Sequence, residues 1–141
     1  MSASQTITNP EQNKQLVIRW FEEVWNKGNR DTIAQLFAPD GVIYDGATLI
    51  RGPLEFEKFY DRLRAQFSNF KISPVLALAE GDLACVHWFS ELKHNATGKT
   101  AHITGTSIVR IRDGRFVEAW QNWDAAGLAA QLSGEPPPQL Y

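Results

Sequence analysis

The sequence has very little cysteine, no long apolar run and no surplus of positive charge. One cysteine among 141 residues excludes an internal disulfide and any zinc site built from several thiolates. The 14 basic and 16 acidic residues give a formal charge of −2, which does not favour binding to a nucleic-acid backbone. No segment approaches the ~18 apolar residues of a membrane helix, and the polar amino end has no export signal. We expect a cytoplasmic protein that binds neither nucleic acid nor membranes.

Aromatic residues, in contrast, are abundant. Five Trp, eight Phe and three Tyr contribute to an apolar fraction of 43%, enough to build a sizeable core. The length is that of one ordinary domain, since domains most often contain about 100 to 150 residues. We expect a flexible amino end over residues 1–9, one domain over residues 10–133 and a proline-rich tail over residues 134–141.

Helical spacing of apolar residues dominates the first half of the chain. Asn9 followed by Pro10 is typical of a helix start, because an Asn side chain caps the first turn and proline fits the first helical position. Asp31 is the expected cap of a second, short helix. The predicted order is a helix from Pro10 to Asn26, a short helix that ends before residues 38–41, a brief strand at 42–45 and a third helix that opens at Arg51-Gly52-Pro53.

The second half is rich in β-branched and aromatic residues, which favours strands. The predicted strands cover residues 71–79, 83–92, 100–112 and 116–123, and Asp124 is the expected cap of a last helix. Short turns between these strands favour antiparallel neighbours, so the pattern predicts a meander. Helices gathered before strands indicate an α+β protein in which the sheet packs against the helices.

Both faces of the predicted strand 83–92 are substantially apolar. A half-exposed antiparallel sheet would alternate apolar with polar residues instead. We therefore expect one face to contact the helices and the other to contact a second subunit in a homodimer.

Several short motifs resemble the nuclear-transport-factor-2-like superfamily, and most closely its SnoaL-like, polyketide-cyclase-type family. They are Phe21-Glu22-Glu23-Val24-Trp25-Asn26-Lys27-Gly28-Asn29, Leu36-Phe37-Ala38-Pro39-Asp40, Arg51-Gly52-Pro53, Ala79-Glu80-Gly81-Asp82, Gly105 to Gly114 and Trp120 to Asp124. The resemblance implies a cone-shaped α+β fold whose helices and curved antiparallel or mixed sheet enclose a pocket for a small hydrophobic molecule. The sequence has no phosphate-binding glycine loop and no metal-ligand spacing, so we expect no cofactor and no metal.

Three residues are the expected catalytic groups of that pocket. The resemblance puts Asp45 where ketosteroid isomerases carry their general base, and an apolar cavity would raise its pKa toward useful values. The alternative is that Asp45 only organises a turn with Gly46. His87 is the expected proton relay, the alternative being a satisfied core or interface histidine. Gln121 stands where related cyclases carry a carboxylate, and an amide orients a ligand without exchanging a proton.

Six further residues are expected to contact the substrate. Phe21 stands where ketosteroid isomerases carry an oxyanion-stabilising tyrosine, and because it has no hydroxyl, steroid isomerisation itself is not expected. The inward face of strand 100–112 stays open, since Gly105 could mark a bulge that exchanges the two faces and leaves His102 ambiguous. The full expected set is Phe21, Tyr44, Phe89, Ser107, Ala119 and Trp123.

Two classes of function are consistent with these residues. The leading hypothesis is a cofactor-independent enzyme that binds a hydrophobic carbonyl compound and catalyses enolisation, isomerisation or aldol-type cyclisation. The competing hypothesis is a non-catalytic ligand-binding or sensing domain, which Phe21 and Gln121 favour because neither side chain exchanges protons. A structural association domain is a third possibility, and a filled cavity would favour it.

Overall fold

The computed structural model describes residues 9–138, so most of the expected flexible amino end and the last three residues of the tail lie outside the described residues. The elements are helix α1 (Pro10–Trp20) with a π-helical continuation (Phe21–Asn26), α2 (Asp31–Leu36), β1 (Phe37–Asp45), β2 (Thr48–Arg51), α3 (Gly52–Gln66), β3 (Phe67–Glu80), β4 (Leu83–His94), β5 (Thr100–Arg112), β6 (Arg115–Trp123) and α4 (Ala125–Leu132).

The expected start of the first helix is confirmed, and that of the second is wrong. Asn9 Oδ1 accepts a hydrogen bond from the backbone N–H of Gln12 at 3.1 Å, with Pro10 in the first helical position. Arg30 rather than Asp31 occupies the N-cap position of the second helix, without a side-chain capping bond, and Asp31 lies in the first turn. The reason is that the backbone N–H of Thr32 already bonds to Asn29, so the turn begins earlier than the side chains indicate.

Within residues 9–138, the six strands form one sheet in the order β2-β1-β6-β5-β4-β3. The predicted meander is confirmed, because β3 to β6 pair antiparallel in sequence. Two features extend the meander: β1 lies parallel to β6, which makes the sheet mixed, and the short strand β2, which was not predicted, adds an antiparallel edge to β1. β1 also begins at Phe37 rather than at Val42, because Phe37 already pairs with Phe116 before the register shifts.

Strand β5 has no bulge at Gly105. Its pairing with β4 runs without interruption from Arg110 to Thr100. Ser107 and Val109 are therefore on the buried face and His102 is on the opposite one. A glycine is needed at position 105 for a different reason. The Trp88 indole, directly across on β4, occupies the space that a Cβ atom would need.

A bulge does occur in β6. Arg110 pairs with Glu118 while Ile111 pairs with Phe116, so Val117 has no partner on β5. An extra residue in one strand turns the side chains before it to the other face. Phe116 is consequently buried on the inner face, although strict alternation from Ala119 would put Val117 there, while Ala119 and Gln121 keep the expected orientation.

Two side-chain amides cover strand segments that lack a neighbouring strand. Asn26 donates from Nδ2 to the carbonyl of Ile72 at 3.0 Å and accepts from the N–H of Ile72 at 2.7 Å. Gln131 makes the same pair of bonds with the backbone of His102, both at 2.8 Å. These amides attach the end of the π-helical segment and helix α4 to the sheet.

Candidate functional site

A cavity of about 110 Å³ lies between the helices and the inner face of the sheet. The helices contribute a mostly aromatic wall, because the apolar stripes of α1 and α3 both point toward the sheet. The sheet contributes the other half of the aromatic lining, together with aliphatic residues and the few polar groups. The aromatic lining consists of Trp20, Phe21, Trp25, Phe56, Phe59, Phe67, Phe70, Trp88, Phe116 and Trp123.

Three polar side chains form a row across neighbouring strands of the inner face. Gln121 on β6 lies directly beside Asp45 on β1 and, on its other side, beside Ser107 on β5. Residues paired in this way project their side chains to the same face. All three line the cavity, so the strand pairing brings together one carboxyl, one amide and one hydroxyl.

Asp45 is the titratable group among the cavity-lining residues of the described chain. Burial raises the pKa of its carboxyl above the ordinary value, and the hydrogen bond from Trp123 only partly offsets this effect. Trp123 donates from Nε1 to Asp45 Oδ1 at 3.0 Å. The second oxygen, Oδ2, has no hydrogen-bond partner within residues 9–138. Asp45 thus has one fixed oxygen and one that is available to a ligand.

A chain of hydrogen bonds leads to Gln121 from the other side. The indole Nε1 of Trp88 donates to Ser107 Oγ at 3.0 Å, and Ser107 Oγ in turn donates to Gln121 Oε1. The amide nitrogen of Gln121 has no hydrogen-bond partner in the described part of the chain. The cavity therefore offers a ligand one amide donor beside one carboxyl oxygen.

Three of the expected site residues lie on the other side of the sheet, so their expected place in the cavity is wrong. His87 is on the outer face of β4, with Nδ1 at 3.0 Å from Thr106 Oγ1. Phe89 shares that face and makes an edge contact with the ring of His102. Tyr44 is 40% exposed and stacks on Trp120. The buried partners on β4 are instead Ala84, Val86, Trp88, Ser90 and Leu92.

The remaining expected residues are where the sequence predicted them. Phe21, Ser107, Ala119 and Trp123 line the cavity together with Asp45 and Gln121. Trp88, whose indole N–H donates to Ser107, was not among the expected site residues. The signal was present, because a glycine inside a strand marks close approach by a large neighbour, and here Gly105 faces Trp88.

The arrangement is suited to proton transfer from carbon. A carboxyl whose charged form is disfavoured accepts a proton readily, and a neighbouring amide N–H can stabilise charge on a carbonyl oxygen. In residues 9–138, no group of three His, Cys, Asp or Glu side chains is arranged to hold a metal ion. No helix there is long and apolar enough to cross a membrane.

The fold is similar to that of several solved proteins. A proposed SnoaL-like polyketide cyclase from Jannaschia sp. CCS1 has a TM-score of 0.82 and 19% identity, over 94% of this chain and 100% of that chain. For IdmH, a proposed polyketide cyclase from Streptomyces antibioticus, the TM-score is 0.78 and the identity 25%, over 86% and 99% of the chains. A protein with a ketosteroid isomerase-like fold from Catenulispora acidiphila, in complex with trimethylamine, gives 0.77 and 20%, over 86% and 94%.

Family comparison gives the most direct assignment. No curated protein matches the chain. The SnoaL-like domain, however, matches residues 17–131, which extend from the first helix to the last and include the whole polar row of the cavity. The α+β architecture, with helices first and a mixed sheet around a pocket, is the one that the motifs of the sequence predicted. The chain belongs to the SnoaL-like domain family, with the cone-shaped fold of the nuclear-transport-factor-2-like superfamily.

Proposed function

We propose that the protein binds a small hydrophobic carbonyl compound and removes a proton from the carbon next to the carbonyl. The observation that carries this proposal is Asp45, a carboxyl of raised pKa with one available oxygen, beside the amide of Gln121 in a mostly apolar cavity. Enolisation is the first step shared by double-bond isomerisation and aldol-type cyclisation, so both remain within the proposal. No cofactor is needed.

The proposed step is a transfer of one proton to Asp45. The bond between the α-carbon and its hydrogen breaks, and the proton moves to Oδ2 of the carboxylate. The electron pair of that bond forms the carbon–carbon double bond of an enolate, whose oxygen carries the negative charge. The N–H of Gln121 stabilises this oxygen, and the proton then returns to the same or to a conjugated carbon.

Asp45 has no second acid or base to assist it within the described cavity. Gln121 and Ser107 do not exchange protons near neutral pH, and Phe21 has no hydroxyl to donate. One group must therefore both remove and return the proton. This favours reactions in which the proton is returned, such as exchange and isomerisation, over those that expel a leaving group.

Hydrogen–deuterium exchange tests the proposal directly. Acetophenone is a suitable first probe, because it joins one aromatic ring, which suits the aromatic lining, to a carbonyl with exchangeable methyl protons. It is larger than the benzene that a cavity of ~150 Å³ holds, so part of it must extend toward the mouth of this partly open cavity of about 110 Å³. We expect catalytic amounts of protein in deuterium oxide to accelerate exchange of its methyl protons, followed by proton NMR. Asp45→Asn should reduce this acceleration by about 10²- to 10⁴-fold. Asp40→Asn, a surface change on the same strand, is the matched control, and equal exchange by Asp45→Asn and wild type would refute the proposal.

A non-catalytic ligand-binding or sensing domain is the second candidate. Gln121 and Phe21 favour it, because they occupy positions where relatives are expected to carry an acid/base and a hydroxyl donor. In that case acetophenone would bind without exchange above the uncatalysed rate, and Asp45→Asn would bind it equally well. The cavity itself argues against a purely structural association domain, which has no use for a ligand-sized space.

The proposed assembly is a homodimer through the outer face of the sheet. Leu78, Ile108 and Trp120 lie in one row across that face, and charged residues such as Glu80 and Arg110 stand at its edge. An apolar centre with a charged rim is typical of protein interfaces. A second copy is the occupant that fits, because an uncharged centre can meet itself without repulsion between like charges.

A further inference from the structure

The amide of Gln121 can present either of two opposite chemical groups to a ligand. If Oε1 points into the cavity, the site offers an acceptor and selects ligands that donate a hydrogen bond. If Nε2 points into the cavity, the site offers a donor and selects ligands that accept one. What decides between these orientations therefore decides which ligands the cavity accepts.

Trp88 supplies the deciding group. An indole N–H is a donor only, so Ser107 Oγ must accept at the 3.0 Å contact between them. The hydroxyl hydrogen of Ser107 then needs an acceptor, and within residues 9–138 that acceptor is Gln121 Oε1. With Oε1 used in this way, Nε2 is the group left for a ligand. In the reverse orientation the hydroxyl hydrogen would have no described acceptor.

The position of Trp88 is itself well defined. Its side chain is buried, with 4% exposed, and its ring packs into the space left by Gly105 on the neighbouring strand. Phe21 contacts the same ring edge-to-face, with a centroid distance of 6.2 Å. A large ring that is packed on two sides holds its N–H in one direction. The hydrogen bonds from Trp88 to Ser107 and from Ser107 to Gln121 therefore start from a rigid group.

We propose that Trp88 and Ser107 are positioning residues that fix the amide of Gln121 with its N–H toward the cavity, and thereby make the site selective for ligands with a hydrogen-bond acceptor. The inference rests on the carbonyl-binding site of the proposed function, but not on proton transfer by Asp45. Selectivity therefore persists in a protein that binds and does not turn over.

A pair of probes of equal shape measures this selectivity. Acetophenone carries a carbonyl oxygen, and α-methylstyrene carries a CH₂ group in its place. One hydrogen bond to a neutral group is worth roughly a two- to tenfold difference in affinity. We expect the wild-type protein to bind acetophenone more tightly than α-methylstyrene by about this factor, measured by NMR titration of the labelled protein with each probe.

Four variants separate positioning from general damage to the cavity. Ser107→Ala and Trp88→Phe should bring the ratio of the two affinities close to one, with a smaller change in the affinity for α-methylstyrene. Ser107→Thr keeps a hydroxyl and should restore much of the ratio. Ser68→Ala removes a serine hydroxyl that bonds to Asn95 at the surface, so it should leave the ratio unchanged.

Several outcomes would overturn the inference. One is a wild-type protein that binds acetophenone no more tightly than α-methylstyrene. Another is a wild-type protein that binds neither probe. Another is a Ser107→Ala protein that keeps the wild-type ratio. Failure of the proposed function gives a different pattern, in which acetophenone binds selectively but its methyl protons do not exchange. The two proposals can therefore fail separately.

Discussion

At the scale of single residues, burial of Asp45 lowers folding stability and raises the pKa on which its proposed role as a base depends. Its carboxyl lies among apolar side chains, which disfavour the charged form and raise its pKa, while Trp123 recovers part of the cost through one hydrogen bond. Because the folded pKa is above the unfolded one, the folded state binds more protons than the unfolded chain. Folding stability contributed by this group is therefore lost as the pH rises from the unfolded pKa through the folded pKa.

Replacement of Asp45 by asparagine should reverse this loss. Asparagine does not titrate and can still accept the bond from Trp123, so Asp45→Asn should have a higher melting temperature than wild type at pH 7. The advantage should shrink as the pH falls toward the unfolded pKa of about 3.9 and disappear below it, because Asp45 is then protonated in both the folded and the unfolded state. Calorimetry at a series of pH values measures the difference.

The control for this measurement is Asp40→Asn, which changes an exposed carboxyl of the same strand. Its melting temperature should follow that of wild type at each pH. A second variant, Trp123→Phe, removes the hydrogen bond that lowers the pKa of Asp45. The folded pKa should then rise, so the loss of stability should continue to a higher pH than in wild type. An Asp45→Asn protein that is less stable than wild type at pH 7 would contradict the destabilising effect of burying this carboxylate.

Which residues face the cavity could be predicted for some strands and not for others. Alternation along β6 grouped Ala119, Gln121 and Trp123 on one face, and the family resemblance assigned that face to the cavity, where the three residues lie. Along β4 the same rule could not choose, since both sides are apolar, and His87 was assigned to the wrong face. Strand alternation fixes which residues share a face, but the packing of helices decides which face is inside.

At the scale of elements, side-chain amides bond to strand backbone that has no neighbouring strand on one side. β3 is an edge strand, and Asn26 occupies the position of a strand neighbour at Ile72. Gln131 does the same for His102, beyond the end of the β5–β6 pairing. Exposed strand edges are liabilities that proteins commonly cover. Here Asn26 and Gln131 also attach the π-helical segment and helix α4 to the sheet.

Loss of the Asn26 amide should therefore cost more than loss of an asparagine at the surface. Asn26→Ala leaves the backbone of Ile72 without two partners, and we expect a decrease of about 1 to 3 kcal/mol in the free energy of unfolding, measured in urea. Asn95 also makes two bonds, to Ser68 and Ala65, but in an exposed position. Asn95→Ala is the matched control and should cost less. Equal costs would show that the edge of β3 does not depend on Asn26.

The sequence predicted long elements better than short ones. Regular apolar spacing over many residues identified α1, α3 and the four strands of the meander. Strand β2, Thr48–Arg51, was missed because four residues carry too little alternation to be distinguished from a turn. The parallel pairing of β1 with β6 depends on contacts between distant parts of the chain, and local sequence patterns do not contain that information.

At the scale of the whole molecule, the same strands serve two surfaces. Inward residues of β4, β5 and β6 line the cavity, and outward residues of the same strands form the face proposed to meet a second copy. The outer row Leu78, Ile108, Trp120 lies next to the polar row but on the opposite face, because Ile108 follows Ser107 in β5 and Trp120 precedes Gln121 in β6. Because alternate residues of a strand face the cavity and the outer surface, a substitution at an inward residue should affect ligand binding, and one at an outward residue should affect assembly.

The proposed dimer can be tested at two exposed leucines. Leu76 and Leu78, which are 65% and 69% exposed, pair with outward residues of β4 and would be buried in the dimer. Two-fold symmetry places each of them in the interface twice. At about 1.5 kcal/mol or more for each buried leucine, Leu76→Glu should weaken the dimer by about 10²-fold or more. Native mass spectrometry over a range of concentrations measures the change.

Leu54 provides the matched control, because it is 74% exposed but belongs to helix α3, away from the outer face. Leu54→Glu should leave the proportion of dimer unchanged, while Leu76→Glu should convert it to single chains that retain acetophenone binding. A wild-type protein that stays a single chain at high concentration would refute the dimer. So would a dimer that both substitutions weaken equally, since its contact would then not depend on the outer face of the sheet.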